Sequence, residues 1–297
     1  MIHKTVLLKE SIDNLNILKG EIYLDGTLGS AGHAEYALKV TDGDLKVIGL
    51  DRDTEALERS KSRLGESSNI ILRESNYCEL DKVLDSLKIE KVNRIMLDLG
   101  LSSDQFETSK RGFTFKNDEP LLMTFKKNPI EGDLTAYEIV NTWQEESIAD
   151  VIYGYGEEKY SRSIARGIVN YRKKKLIETT GELVEIISQS VPAFYRRGRI
   201  HPSTRTFQAL RIAVNDELNA LKRGLAIGFE RLEKNGRIAV ISFHSLEDRI
   251  VKIFNKEKAE SNEAKIITKR PITPTQEEIL NNPRSRSAKL RILEKTI

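Results

Sequence analysis

The stretch "DGTLGSAGHAEYAL", residues 25–38, follows the apolar run Ile22, Tyr23, Leu24 and leads into a helical pattern. Glycines at 26, 29 and 32 let a chain turn sharply out of a strand. They also let a ligand lie against bare main chain, at the positive end of the next helix. An ATP-type phosphate loop ends Gly-Lys-Ser/Thr, whereas this one ends Gly32-His33-Ala34. A dinucleotide fold stays open, although the spacing is looser than G-x-G-x-x-G. Asp25, at the carboxyl end of the strand, repels a pyrophosphate and attracts an α-ammonium, as carried by S-adenosylmethionine. The same loop also suits a tight strand-to-helix turn with no ligand.

Outward from this loop, apolar runs at 22–24, 45–50, 69–72, 94–99 and 237–243 read as strands of a parallel sheet, short and buried on both faces. Helical stretches such as 54–64 separate the first of them, a doubly wound α/β pattern. From about 106 to 200 the alternation stops and helical patterns follow: "TAYEIVNTW", "SIADVIYGYGEEKYSRSIARGIVNYRKKK" and "TGELVEIISQSV". The expected organisation is a sheet core at 1–106, an all-helical insertion at 107–203, and the rest of the core at 204–297. A single long helix is expected over 204–233, from apolar residues Phe207, Leu210, Val214, Leu218, Leu221 and Leu225. "EKNGR" reads as a turn, "PITPTQEEILNNPRSRSA" as loop, and "KLRILEK" as a last strand.

At 297 residues the chain can bury a large core. One cysteine fits a reducing compartment and excludes a disulfide framework. No apolar stretch approaches the roughly 18 residues of a membrane span, and "MIHKTVLLKE" lacks the shape of a signal peptide, so a cytoplasmic location is expected. The net charge is only +3. From Lys159 to Arg211, however, twelve basic residues face three acidic ones, Glu178, Glu182 and Glu185. A polyanion partner or a solvated helix face would account for that excess.

Ligands of such sheets gather at the carboxyl ends of strands, at the point where strand order reverses. Asp51 ends strand two, where an acid can take both ribose hydroxyls of an adenosine cofactor; nicotinamide folds use the same device. Tyr77 follows strand three and suits either an adenine contact or an ordinary half-buried position. Strand four ends "IMLDLGLSSDQF", bringing Asp98 and the hydroxyls of Ser102 and Ser103 to the place where substrate meets cofactor. Asp98 also suits a helix or turn cap. His244, after "IAVISF", suits a pocket wall or a hydrogen-bonded structural role.

The motifs "HKTVLLKE" (3–10), "YLDGTLGSAGH" (23–33), "LDRD" (50–53), "LDLGLSSDQF" (97–106), "RGFTF" (111–115), "YGEEKYSRSIARGIV" (155–169), "HPSTRTFQALRIAVNDEL" (201–218), "ISFHSLEDRIVK" (241–252) and "NPRSRSAKLRI" (282–292) occur in order along the chain. Together they resemble the bacterial small-subunit ribosomal RNA cytosine-N4 methyltransferases, the RsmH (MraW) family. The resemblance implies a class I methyltransferase sheet interrupted by a helical substrate domain. It implies S-adenosylmethionine as cofactor, with contacts at Ala31, Gly32, His33, Asp51, Tyr77, Asp98 and Gln105. The implied reaction is methylation of a cytidine N4 in the decoding region of the small-subunit RNA, with the RNA met inside a ribosomal subunit by a monomer or homodimer. Two departures stand out. Ala31 stands where the family usually has a glycine, and in "EPLLMTF" (119–125) Leu122 and Thr124 replace an acid and a base.

Cytosine N4 has a lone pair delocalised into the ring, so an enzyme must place it in line with the methyl and accept its N–H as charge develops. Asp98 or Ser102 is the candidate acceptor, with His244 shaping the pocket. Methylation at C5 would instead need a thiolate, and the only thiol, Cys78, follows strand three. Arg196, Arg197, Arg199 and Arg205 are the candidate RNA contacts, and no metal site is expected. A non-catalytic or retargeted RNA-binding paralogue is the alternative, motivated by Leu122 and Thr124. A nicotinamide oxidoreductase is a further one, opposed by Asp25 and the helical insertion.

Overall fold

The structure is a computed structural model and describes residues 4–100, 109–126, 129–130 and 132–297. The chain forms two compact units, Met1–Gly100 with Leu218–Ile297, and Leu101–Glu217.

The first unit is built on a seven-stranded sheet. Its strands are β1 (Ile22–Asp25), β2 (Lys46–Asp51), β3 (Ile70–Glu74), β4 (Val92–Asp98), β5 (Leu232–Ser242), β6 (Ala264–Ile266) and β7 (Lys289–Lys295), in the order β3-β2-β1-β4-β5-β7-β6. β1 to β5 run parallel, and β7 runs antiparallel to both its neighbours. This is the class I methyltransferase sheet that the motifs imply. The chain winds outward from β1 to β3, then crosses back to β4, so the order reverses between β1 and β4. The carboxyl ends of those two strands are the natural place for a ligand.

Successive side chains point to opposite faces and both faces are buried, which is why the strands read as unbroken apolar runs. Leu24, Ile48, Leu50, Ile95, Leu97 and Val240 pack on one side, Tyr23, Val47, Met96, Ala239 and Ile241 on the other. Burying each such aliphatic side chain contributes about 1.5–3 kcal/mol. The covering helices in the first half are α1 (Leu8–Leu15), α2 (Gly32–Val40), α3 (Thr54–Leu64) and α4 (Leu80–Ser86). Asp53 starts α3 by accepting the Glu55 N–H at 3.0 Å, and Gly65 ends it.

The second unit is helical: α5 (Ala136–Thr142), α6 (Glu145–Gly156), α7 (Ser161–Arg172), α8 (Thr180–Ser190), the single turn α9 (Ala193–Arg196) and α10 (Ser203–Asn215). Among its described residues the extended pairing is one isolated bridge, Pro120 with Thr179. Reciprocal side-chain caps, Thr135 with Glu138 and Thr179 with Glu182, start α5 and α8. Ile139, Ile148, Ile152, Ile164, Ile168, Leu183, Ile187 and Leu210 fill its core.

The long helix expected over 204–233 is two helices, α10 and α11 (Glu217–Glu230). Asp216 takes a left-handed conformation (φ 50°) and caps α10 through its N–H to the Ile212 carbonyl. The apolar period runs through the break because each half fills a different core: Phe207 and Leu210 in the helical unit, Leu221 and Leu225 against the sheet. The turn expected at "EKNGR" lies inside β5. Leu232 pairs with Val92 and Arg237 with Arg94, so the intervening residues bulge out, with Asn235 at φ 63°.

After α12 (Ser245–Glu260), the segment read as loop holds a short helix, α13 (Gln276–Asn281), and a 3₁₀ turn at Pro283–Ser287. Thr275 Oγ1 accepts the Glu278 N–H at 3.1 Å and starts α13. Among the described residues no helix is long and apolar enough to cross a membrane.

Candidate cofactor site

Three carboxylates end neighbouring parallel strands: Asp25 on β1, Asp51 on β2 and Asp98 on β4. Asp25 is buried; its Oδ1 accepts the Thr27 N–H at 3.1 Å and its Oδ2 the Tyr23 hydroxyl at 3.1 Å. Burial pushes this carboxyl up to about 7, against the pull of those two donors. Asp51 accepts the Gly29 N–H at 2.8 Å on one oxygen and the Asp53 N–H at 2.9 Å on the other. Burial raises it too.

Asp98 is half-buried, and its main-chain N–H donates to Thr27 Oγ1 at 2.6 Å. Its Oδ1 is sealed from solvent and has no hydrogen-bond partner among the described residues. Burial first, then the charges of Asp25 and Glu247, raises Asp98 well above the usual carboxylate range. Acids held this way favour a ligand that brings positive charge and hydrogen-bond donors.

The loop between β1 and α2 is closely fitted. A Cβ built on Gly26 would lie 2.5 Å from Leu97 Cδ2, and one on Gly32 would lie 1.8 Å from Thr5 Oγ1. Ala31 is left-handed at φ 61° and stands at the N-cap of α2 without a side-chain cap. A non-glycine residue there costs about 1–2 kcal/mol, offset in part by the roughly 0.4–1 kcal/mol by which alanine restricts the unfolded chain. The departure from the family's glycine is therefore mild. His33 is buried, with Nε2 3.2 Å from the Val6 carbonyl oxygen. Its ring is thus tied to the segment that also packs Thr5 over Gly32.

Tyr77 is half-buried in the 3₁₀ turn Tyr77–Glu79, and its ring lies against Gly224 of α11, where a built Cβ would be 2.4 Å from Cδ2. Cys78 is half-buried, and burial pushes its thiol up, the opposite of what a nucleophile needs. Ser102, Ser103 and Gln105 lie outside the described residues. His244 ends the β5–α12 turn as a helix cap: Nδ1 accepts the Glu247 N–H at 3.4 Å, while Glu247 Oε2 accepts the His244 N–H at 3.3 Å and the Phe243 N–H at 2.8 Å. The buried Nε2 sits 3.3 Å from Glu247 Oε1, outside hydrogen-bond geometry.

Two contributors escape a reading by motif. Thr27 links the ends of β1 and β4, and buried Glu247 adds negative charge to Asp98. A capping pattern, His-Ser-Leu-Glu, marks Glu247 in the sequence; nothing marks Thr27. In the helical unit, Arg196, Arg197 and Arg199 are exposed, and Arg205 is half-buried with Nη1 3.4 Å from the Tyr195 hydroxyl. Thr124 is buried, its Oγ1 accepting the Lys126 N–H at 3.2 Å, whereas Leu122 is half-buried. Asn215 holds this stretch by donating to the Met123 carbonyl and accepting the Phe125 N–H.

Asp51→Ala is expected to weaken S-adenosylmethionine binding by about 1.5–3 kcal/mol for each charged hydrogen bond lost, tenfold or more. Calorimetry on the folded variant measures this, and an unchanged affinity would remove Asp51 from the ribose position.

The sequence pattern of the MraW methylase family matches residues 1–296. Ribosomal RNA small subunit methyltransferase H of Clostridium botulinum (strain Kyoto / Type A2) is 46% identical over 309 residues, covering 99% of this chain and 98% of that one. The protein of the same name from Sulfurihydrogenibium sp. (strain YO3AOP1) is 48% identical over 291 residues, covering 98% of both chains. Its counterpart from Brevibacillus brevis is 44% identical over 310 residues, covering 99% of this chain and 98% of the relative.

Proposed function

Because the chain belongs to the MraW methylase family, we propose that it is a methyltransferase of small-subunit ribosomal RNA that uses S-adenosylmethionine, and that its acceptor is the exocyclic N4 of a cytidine in the decoding region. The observation that carries the reading is the sealed Oδ1 of Asp98 at the end of β4, beside a second buried acid, Asp25. A ligand with a positive centre and an α-ammonium suits these acids; a pyrophosphate does not. The nicotinamide alternative therefore loses ground.

Bound there, S-adenosylmethionine supplies an activated methyl group. Asp51 accepts ribose hydroxyls and Asp25 draws the α-ammonium, while Gly26 and Gly32 let the loop that carries them pack against Leu97 and Thr5. Asp98 accepts an N–H of the target amine, with Ser102 as the other candidate acceptor. The cap role of His244 leaves it shaping the turn rather than moving a proton. Contacts with Gln105 and Tyr77 belong to the same proposal.

The helical unit, expected at 107–203, is the RNA-recognition element in this reading, and the substrate is the RNA within a ribosomal subunit, met in the cytoplasm by a monomer or homodimer. Leu122 and Thr124 support the second reading, a retargeted or non-catalytic paralogue. Thr124 is buried, and its hydroxyl accepts the Lys126 N–H where the family carries a longer base. Mapping modified nucleosides in ribosomal RNA from cells with and without the protein separates the two: loss of a single N4-methylated cytidine supports the enzyme, and an unchanged map supports the paralogue.

Replacing Arg196, Arg197 and Arg199 together by glutamine is expected to weaken RNA binding and lower the salt slope by about 0.7–0.9 per lost phosphate contact. Cofactor affinity stays unchanged. An unaltered slope would make these arginines a solvated face.

A further inference from the structure

The tip of the helical unit, residues 192–201, carries an exposed aromatic side chain followed by three arginines. Phe194 is 68% exposed and Ile200 54%, while Phe113 and Phe207 of the same unit are buried. Arg196, Arg197 and Arg199 are exposed beside them.

The mount under this tip is built. Tyr195 packs inward, its hydroxyl donating to Glu158 Oε2 at 2.6 Å, and the other oxygen of fully buried Glu158 accepts the Tyr160 N–H at 2.9 Å. The Tyr195 and Tyr160 rings meet edge to face at 4.8 Å, and the Lys159 ammonium lies 5.2 Å and 5.1 Å from their centroids. The chain then turns back through the Gly198 N–H to the Tyr195 carbonyl at 3.1 Å. With residue 195 fixed inward, residue 194 is presented outward on a positioned turn.

We propose that Phe194 is a stacking platform for an unpaired base and that Arg196, Arg197 and Arg199 hold the flanking phosphates, so that the tip selects single-stranded over duplex RNA. The inference rests on the RNA reading above and deepens it. Base stacking on an exposed aromatic is sequence-tolerant but needs a free base face, which duplex RNA does not offer. Arginine charge alone has no such preference. The positive surroundings select a polyanion over an apolar protein partner.

The test is fluorescence anisotropy of the full-length protein with a labelled single-stranded RNA 12-mer and with the same strand annealed to its complement. Phe194→Ala is expected to lose roughly ten- to a hundredfold in affinity for the single strand, with an unchanged salt slope and unchanged duplex affinity. Phe194→Trp is expected to keep the affinity and to lose indole fluorescence when the single strand binds.

Phe194 is exposed, so these variants leave the fold intact. Unchanged single-strand affinity in Phe194→Ala, with weakening in the triple arginine variant, would overturn the stacking inference and leave the RNA reading standing. Equal losses for single strand and duplex would also overturn it, as would a loss confined to assembled ribosomal subunits. No loss from either variant would sink both.

Discussion

Asp98→Ala is expected to lower turnover about a hundredfold or more while leaving the ligand-free protein as stable as before or more so. Burial leaves Oδ1 without a partner among the described residues and drives the carboxyl well above its usual range. A buried, unsatisfied acceptor costs about 1–3 kcal/mol in the folded state. Such a group persists where a ligand completes it. Removing it thus relieves the apoprotein and strips the reaction of the acceptor for the N4 proton, a contribution of the size that single oriented groups make. Part of the loss falls on cofactor affinity, so the KM for S-adenosylmethionine should rise as kcat falls. Thermal melting beside steady-state transfer of labelled methyl separates the effects. Turnover within threefold of the parent, or a melting temperature lowered in step with activity, would refute the assignment.

Asp25→Asn is the second large effect, and its sign depends on pH. The folded carboxyl titrates at about 7 and the unfolded one near 3.8. Between those values the native state holds a proton that the unfolded chain has released. Stability therefore falls as pH rises from about 4 to about 7, and the full penalty is present above 7. Three units at 1.36 kcal/mol each amount to about 4 kcal/mol. Asparagine removes the charge but presents one acceptor oxygen where Thr27 and Tyr23 now use two, which returns about 1–3 kcal/mol.

The variant should therefore be more stable than the parent at pH 8 by roughly 1–3 kcal/mol, and no more stable at pH 4.5. Its affinity for S-adenosylmethionine should drop tenfold or more at pH 8. In the parent, affinity should fall as pH drops below about 7, because binding a cation competes with binding a proton at Asp25. Denaturant melts and calorimetry at the two pH values test both signs. A stability difference that does not vary with pH would show that Asp25 titrates normally.

The sheet is legible in the sequence because strands buried on both faces must be largely apolar; β1 to β4 and the second half of β5 announce themselves this way, and β7 by the alternation of KLRILEK. α3 is legible from its Asp53 cap and Gly65 stop. β6 is only three residues long and carries no alternation. The break at Asp216 is masked because two amphipathic helices in phase look like one. α13 is too short for a period and depends on the Thr275 cap. In the site, the positions of Asp25, Asp51 and Asp98 follow from strand ends. Their charge states do not, because these depend on burial by residues far apart in the chain, such as Glu247 beside Asp98. The capping role of His244 and the inward turn of Thr124 are likewise set by packing rather than by motif.

Incubation of small ribosomal subunits with the protein and methyl-labelled S-adenosylmethionine, followed by mass spectrometry of the nucleosides, tests the central claim most directly. One label is expected on N4 of a cytidine, lost in Asp98→Ala and kept in Cys78→Ala, since the half-buried thiol, pushed up by burial, plays no part in attack on the methyl. Label at C5 or on ribose, a dead Cys78→Ala variant, or no label on any RNA offered would contradict the account.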